Sequence, residues 1–120
     1  MKVTTPIPEN LLPMTPAVFN ILLALADGEK HGYAIMLEVE KNTQGAVKMG
    51  PGTLYGSIKR MLASSLIEEC DERPDESIDD QRRRYYRLSN LGESALRLEA
   101  KRLENQVSIA RLKQVLDGAA

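Results

Sequence analysis

The sequence has few of the residues and segments that mark several large protein classes. Its single cysteine, Cys70, excludes an internal disulfide framework and a zinc site built from several thiolates. It has no tryptophan, and no apolar run approaches the about 18 residues that a membrane-spanning helix needs. Its first residues lack the apolar stretch of a secretory signal. We therefore expect a cytoplasmic protein that is stabilised by packing.

Length and composition predict one globular domain. The chain has 120 residues, of which 42% are hydrophobic and 28% are charged, and its net charge of −1 indicates no partner. The charges are unevenly placed, because six acids lie in residues 71–80 and four arginines in residues 82–87. The basic stretch includes Tyr85 and Tyr86 and suits contact with phosphate, although a solvated hairpin is the commoner explanation of such a run taken alone.

Start and stop signals predict four helices and a hairpin. Three prolines in residues 1–14 predict an extended arm, and a threonine, a glycine or a serine precedes each of three later apolar patterns as a cap. Two short segments, 66–70 and 83–88, have the branched and aromatic residues of strands. The predicted helices run from Thr15-Pro16 to about Asp27, from His31-Gly32 to Gln44-Gly45, from Gly50-Pro51 to about Ser64, and from Ser89 or Asn90 to Asp117.

The outward face of the third helix is small and basic. An apolar stripe of Leu54, Ile58, Met61 and Leu62 predicts the buried side, and the opposite side holds Gly52, Gly56, Lys59, Arg60 and Ala63. Glycine inside a helix costs about 0.5–1 kcal/mol relative to alanine, so an exposed Gly56 needs a reason. Close approach of an anionic molecule is one reason, and an ordinary face with an incidental glycine is the alternative. Thr53 and Tyr55 can donate hydroxyl hydrogen bonds to phosphate.

The order of helix, helix, helix and hairpin is typical of a winged helix-turn-helix. The predicted fold class is therefore mainly α with a small β-hairpin and a long C-terminal helix. In that fold the third helix enters a major groove, and hairpin residues such as Arg83 and Arg84 reach phosphates or the minor groove. The small basic helix face and the arginine-rich strand would lie on one side, which favours double-stranded DNA as the partner.

The last helix has the spacing of a coiled-coil seam. Its apolar positions step by four, three, four and three residues. Because the first helix is apolar on nearly every side, it also needs an external surface, and we expect a homodimer. The alternative folds the last helix back over its own domain. The predicted dimer residues are Val18, Leu22, Leu96, Ala100, Leu103, Val107 and Ala110, and the predicted units are an arm (1–14), the winged helix (15–89) and a dimerisation helix (90–120).

Signatures of an enzyme are missing. The one histidine, His31, is predicted to cap the second helix or to contact phosphate, and the acids around Cys70 disfavour a reactive thiolate. Gly50-Pro51-Gly52 lacks the lysine and the spacing of a nucleotide-binding loop, and no paired metal-ligand motif occurs. We expect no catalytic residue, cofactor or metal.

Three segments resemble the PadR-like transcriptional regulators, in particular their short members with one C-terminal dimerisation helix. They are LPMTPAVFNILLALADGEKHGYAI, GPGTLYGSIKRMLASSLIEE and RRRYYRLSNLGESAL. The resemblance implies a homodimer that binds a pseudo-palindromic operator, usually as a repressor released by a small ligand or a stress signal. It places Thr53, Tyr55, Lys59 and Arg60 on the recognition helix, and Arg83 and Arg84 on the wing.

The sequence departs from that family in three respects, of which one is the absence of the tryptophan on which some relatives stack flat ligands. Ser65 stands where glycine usually follows the third helix, so we expect a differently shaped turn. Val18 stands where an acidic residue is common, which removes a capping box. A second class of function is also open, in which the winged helix docks a protein and the wing arginines meet an acidic partner instead of DNA.

Overall fold

The computed structural model of the protein describes residues 11–70 and 84–117. A three-stranded antiparallel sheet in the order β1-β3-β2 packs with four helices. This confirms the predicted fold class, including the long C-terminal helix. The elements are α1 (Pro16–Ala24), β1 (Lys30–His31), α2 (Gly32–Asn42), α3 (Pro51–Ala63), β2 (Ile67–Cys70), β3 (Tyr85–Leu88) and α4 (Asn90–Leu112).

Side-chain caps start three of the helices where the sequence predicts them. The Thr15 hydroxyl accepts a hydrogen bond from the amide of Val18 at 3.2 Å, so the cap forms without the acidic partner of a capping box. The Ser89 hydroxyl accepts from the amide of Gly92 at 2.9 Å. Helix α3 has no side-chain cap, and Pro51 occupies its first turn after Gly50.

Two helices end earlier than predicted. Helix α1 ends at Ala24, whose carbonyl accepts a hydrogen bond from Lys30 Nζ at 2.7 Å, and the chain then turns toward β1. Helix α4 ends at Leu112 because Gln114 adopts a left-handed φ of 63°. The amide of Val115 donates to a carbonyl of the last turn at 2.9 Å, as in a Schellman C-cap.

The turn after α3 contradicts the expectation of a different shape. Ser65 has a φ of 65°, the left-handed conformation that glycine adopts there. Its amide donates to the Leu62 carbonyl at 3.1 Å, and that of Leu66 donates to the Met61 carbonyl at 2.9 Å. The two bonds form a Schellman motif, so serine takes the glycine geometry at a cost of about 1 kcal/mol.

The inward faces of the helices and one face of the sheet form the core. As predicted, Leu54, Ile58 and Met61 on α3 are buried. Gly92 at the start of α4 lies against the backbone of Leu66, because a Cβ on this glycine would be 1.9 Å from the Leu66 carbonyl oxygen. The other core residues include Ile21, Leu22, Ala24, Leu25, Ile35, Val39, Met49, Leu66, Ile67, Tyr86, Ala95 and Leu96.

Candidate nucleic-acid interface

The outward face of α3 is not covered by the described part of the chain. A Cβ built on Gly52 meets no atom within 4 Å, and one built on Gly56 meets only Arg60 Nη1 at 3.7 Å. Thr53, Lys59 and Arg60 are exposed on the same helix. The outward face of the helix therefore has small residues with two cations beside them, as its periodicity predicts.

The two cations on α3 have different surroundings. Arg60 Nη2 donates to the hydroxyl of Ser57 at 3.2 Å, and Ser57 is buried. Arg60 also lines a groove together with Leu11 and Met14. Lys59 has no ion-pair or hydrogen-bond partner among residues 11–70 and 84–117, so its ammonium group is the more available of the two for an anion.

Tyr55 connects α3 with α2. Its ring lies over Gly32, where an added Cβ would be 2.5 Å from the Tyr55 hydroxyl oxygen. Gly32 therefore provides the space that Tyr55 occupies, which links the HGY and PGTLY segments physically. Helical spacing did not signal this contact, since the two residues lie on different elements. A contact of Tyr55 with phosphate stays a prediction.

His31 caps α2, one of the two roles predicted for it. Its Nδ1 accepts a hydrogen bond from the amide of Ala34 at 3.1 Å. The ring also makes an edge contact with Tyr85, with centroids 5.4 Å apart and planes at 87°. Because Nδ1 is engaged as an acceptor, only Nε2 remains to donate to a ligand.

The wing arginines are paired with acids on the neighbouring strand. Arg84 Nη1 lies 2.9 Å from Glu69 Oε2, and Arg87 Nε lies 3.1 Å from Glu68 Oε1. The antiparallel register, which places Glu68 opposite Arg87, brings these charges together. The sequence analysis did not predict these ion pairs. Arg83 and the acidic residues of 71–80 lie outside the described part of the chain.

The predicted dimer residues divide into two groups. Leu22 is fully buried and Leu96 is 7% exposed, since both pack into the core of their own domain, and neither can form the surface of an interface. Including them was therefore wrong. The first half of α4 packs against α1, so the seam residues of this half are buried within one chain. The remaining positions are exposed (Ala100, Val107) or half-buried (Val18, Leu103, Ala110).

Helix α4 also carries an exposed apolar stripe on another side. Leu98, Ile109 and Leu112 are 50%, 51% and 84% exposed. At 100° per residue, this stripe lies opposite the side that contains Val107. The C-terminal half of α4 is thus apolar on two sides. No helix in the described ranges is both long and apolar enough to cross a membrane.

A buried carboxylate ties the N-terminal segment to α4. Glu99 is 1% exposed; it accepts a hydrogen bond from the amide of Met14 at 3.0 Å and is held by Arg102 Nε and Nη2 at 2.7 and 2.8 Å. The Arg102 hydrogen bond is the main reason that the Glu99 pKa lies below its ordinary value, although burial acts in the opposite direction. Residues 11–14 of the predicted arm therefore dock on the domain, and residues 1–10 lie outside the described chain.

Cys70 is the one candidate nucleophilic thiol of the sequence. Its side chain is buried at the end of β2. Within residues 11–70 and 84–117, no three His, Cys, Asp or Glu side chains gather as a metal site would need.

The sequence is similar to that of a known protein. The chain is 36% identical over 80 residues to an uncharacterized 37.1 kDa protein in transposon TN4556 from Streptomyces fradiae, covering 67% of the chain and 21% of that protein. It therefore spans about a fifth of that relative.

Two solved structures have a similar fold. A PadR family transcription regulator from Clostridium difficile R20291 superposes with a TM-score of 0.66 at 22% identity, over 83% of this chain and 99% of that one. PadR from Bacillus subtilis, solved in complex with operator DNA, gives 0.59 at 20% identity over 71% and 46%. The Transcriptional regulator PadR-like family model matches residues 21–98, more than half of the chain. The chain therefore belongs to the PadR-like family, whose members are transcription regulators and not enzymes.

Proposed function

We propose that the protein is a homodimeric, sequence-specific DNA-binding repressor whose α3 enters the major groove of a pseudo-palindromic operator. The observation that carries the proposal is the face of α3 that residues 11–70 and 84–117 leave uncovered, where Gly52 and Gly56 allow close approach and Lys59 has no ionic partner among those residues. Thr53 and Arg60 lie on the same helix, and Tyr55 lies at its edge. The operator complex of the similarly folded Bacillus subtilis protein supports the same use of the fold.

The homodimer is supported by the apolar second half of α4. Val107, on the predicted seam, is 39% exposed in the single chain, and burying such a side chain against a second copy is favourable by about 25 cal/mol per Å² of apolar surface. Two copies related by a two-fold axis would present two α3 helices to one side of a duplex. The proposal requires their separation to be about 34 Å, one turn of DNA.

Repression and release follow from this arrangement. A dimer that covers an operator blocks access to it, and a small ligand or a stress signal that changes the separation of the α3 helices would release the DNA. The proposed place of action is the cytoplasm, where the operator is accessible. No cofactor or metal is part of the proposal.

Fluorescence anisotropy with the DNA upstream of the protein's own coding region tests the proposal. We expect tight binding to one duplex and weaker binding to a scrambled duplex of equal length. Lys59→Ala should weaken both and reduce the slope of log K against log salt by about 0.9. Lys101→Ala is the matched control, because Lys101 lies on α4 in an exposed pair with Glu104. Equal affinity for both duplexes would instead indicate a protein-docking module.

A further inference from the structure

We propose that the Glu69 carboxylate pairs with the Arg84 guanidinium in the free protein and that a DNA phosphate replaces it in the bound state. This competition limits the affinity of the wing for DNA. The inference rests on the proposed function and adds to it a residue that sets binding strength.

The geometry of the pair suits exchange of one anion for another. The Arg84 and Glu69 side chains are 2.9 Å apart. Glu69 lies on β2 opposite Tyr86, and Arg84 immediately precedes β3, two residues before Tyr86. Their side chains are 48% and 30% exposed. An ion pair in contact with water is weakly held, so an incoming anion can displace the carboxylate without opening the core.

Strand β2, which carries Glu69, packs against α3. Tyr86, opposite Glu69, is buried, and its pKa is raised first by burial and then by the negative charge of Glu69 and by Tyr55. A duplex seated on α3 would bring its phosphates toward Arg84, which immediately precedes β3.

The chemistry of the guanidinium makes the competition direct. Arginine presents the same planar N–H donors to a carboxylate and to a phosphate. When a phosphate takes these donors, Glu69 loses its partner and faces a like charge. The carboxylate therefore opposes the contact twice, by holding Arg84 and by repelling the phosphate.

Glu69→Gln tests the competition, because it removes the charge and keeps the size of the side chain. Anisotropy titrations across a salt series should show about three- to tenfold tighter binding to both duplexes at low salt. The slope against log salt should steepen by about 0.9, which corresponds to one added phosphate contact. The matched control is Glu104→Gln, since Glu104 pairs with Lys101 at 3.1 Å in the second half of α4, in an exposed pair. It should leave affinity and slope unchanged.

A double variant separates competition from a simple change of field. In an Arg84→Ala background, Glu69→Gln should give at most a small part of its gain, because no guanidinium remains to be released. A gain of equal size in that background would overturn the inference. So would unchanged binding by Glu69→Gln in a protein whose wild type binds duplex. If the wild type shows no preference between the operator and the scrambled duplex, the proposed function itself is wrong, and the inference falls with it.

Discussion

The two halves of α4 have the same apolar spacing and opposite surroundings. In residues 90–99, Ala95 and Leu96 are buried against the domain, and Glu99 is buried with its hydrogen-bond partners. In residues 100–112 the helix has left the domain, and Leu112 is 84% exposed. One helix therefore completes a core with its first half and offers an apolar surface with its second.

This contrast shows how much of a helix's packing can be predicted from a heptad pattern. A heptad pattern identifies the side of a helix that needs burial, but it does not say which body buries it. The first half is covered by its own chain, and the second half needs a partner. Substitutions in each half test this difference, and the largest loss of stability is expected in the first half.

The docking of the first half depends on Gly92. Gly92→Ala places a methyl group 1.9 Å from the backbone oxygen of Leu66, which cannot rotate away, so α4 must shift. We expect a loss of about 3 kcal/mol and a drop of about 10–15 °C in Tm by circular dichroism. Gly56→Ala is the control, since its Cβ has room and alanine favours helix. Equal Tm values for Gly92→Ala and the wild type would contradict the contact.

The second half should fail as an interface without loss of fold. Val107→Glu would bury a charge between two copies, and we expect the dimer dissociation constant to rise about 100-fold, while the helical signal is kept. Light scattering across a dilution series measures it. Gln106→Glu, on an exposed and polar side of the same helix, should leave the dimer intact. A persistent Val107→Glu dimer would move the interface to the stripe that contains Leu112.

The Glu99 contact should make the first half sensitive to acid. Because the pKa of Glu99 is lowered in the folded state, its contribution is present above the ordinary value of 4.5 and is lost as the pH falls below it. Glu99→Gln should cost about 1–2 kcal/mol in urea unfolding at pH 7 and much less at pH 3. Glu104→Gln, in an exposed pair, should change little at either pH. The same loss for Glu99→Gln at both pH values would show that charge is not involved.

The smallest expected change concerns the turn that leads into β2. Ser65→Gly removes a side chain from a left-handed residue, so we expect a gain of about 0.5–1 kcal/mol. Ser64→Gly is the matched control, because Ser64 has an ordinary φ of −90° and should lose stability. If Ser65→Gly destabilises the protein, the serine side chain contributes more than its backbone strain costs.

Local chemistry explains which features were predictable. Caps such as Thr15, His31 and Ser89 act within one turn of the chain, and the bare side of α3 follows from its periodicity. Contacts between distant residues were missed: Met14 and Glu99 are 85 residues apart, and the Arg84–Glu69 pair depends on strand register. Strand β1 has only two residues, too few to show alternation. At Ser65 the backbone geometry of the turn outweighed the preference of the residue.

The central claim is that the outward face of α3, which residues 11–70 and 84–117 leave uncovered, is open to an approaching duplex, and Gly56→Leu tests this most directly. Since a Cβ at Gly56 meets only a flexible arginine tip, the variant should fold and melt at or above the wild-type temperature. Anisotropy with the operator should then show at least about tenfold weaker binding, because the added side chain holds the helix away from the groove. A folded Gly56→Leu protein that binds the operator as tightly as the wild type would contradict the claim.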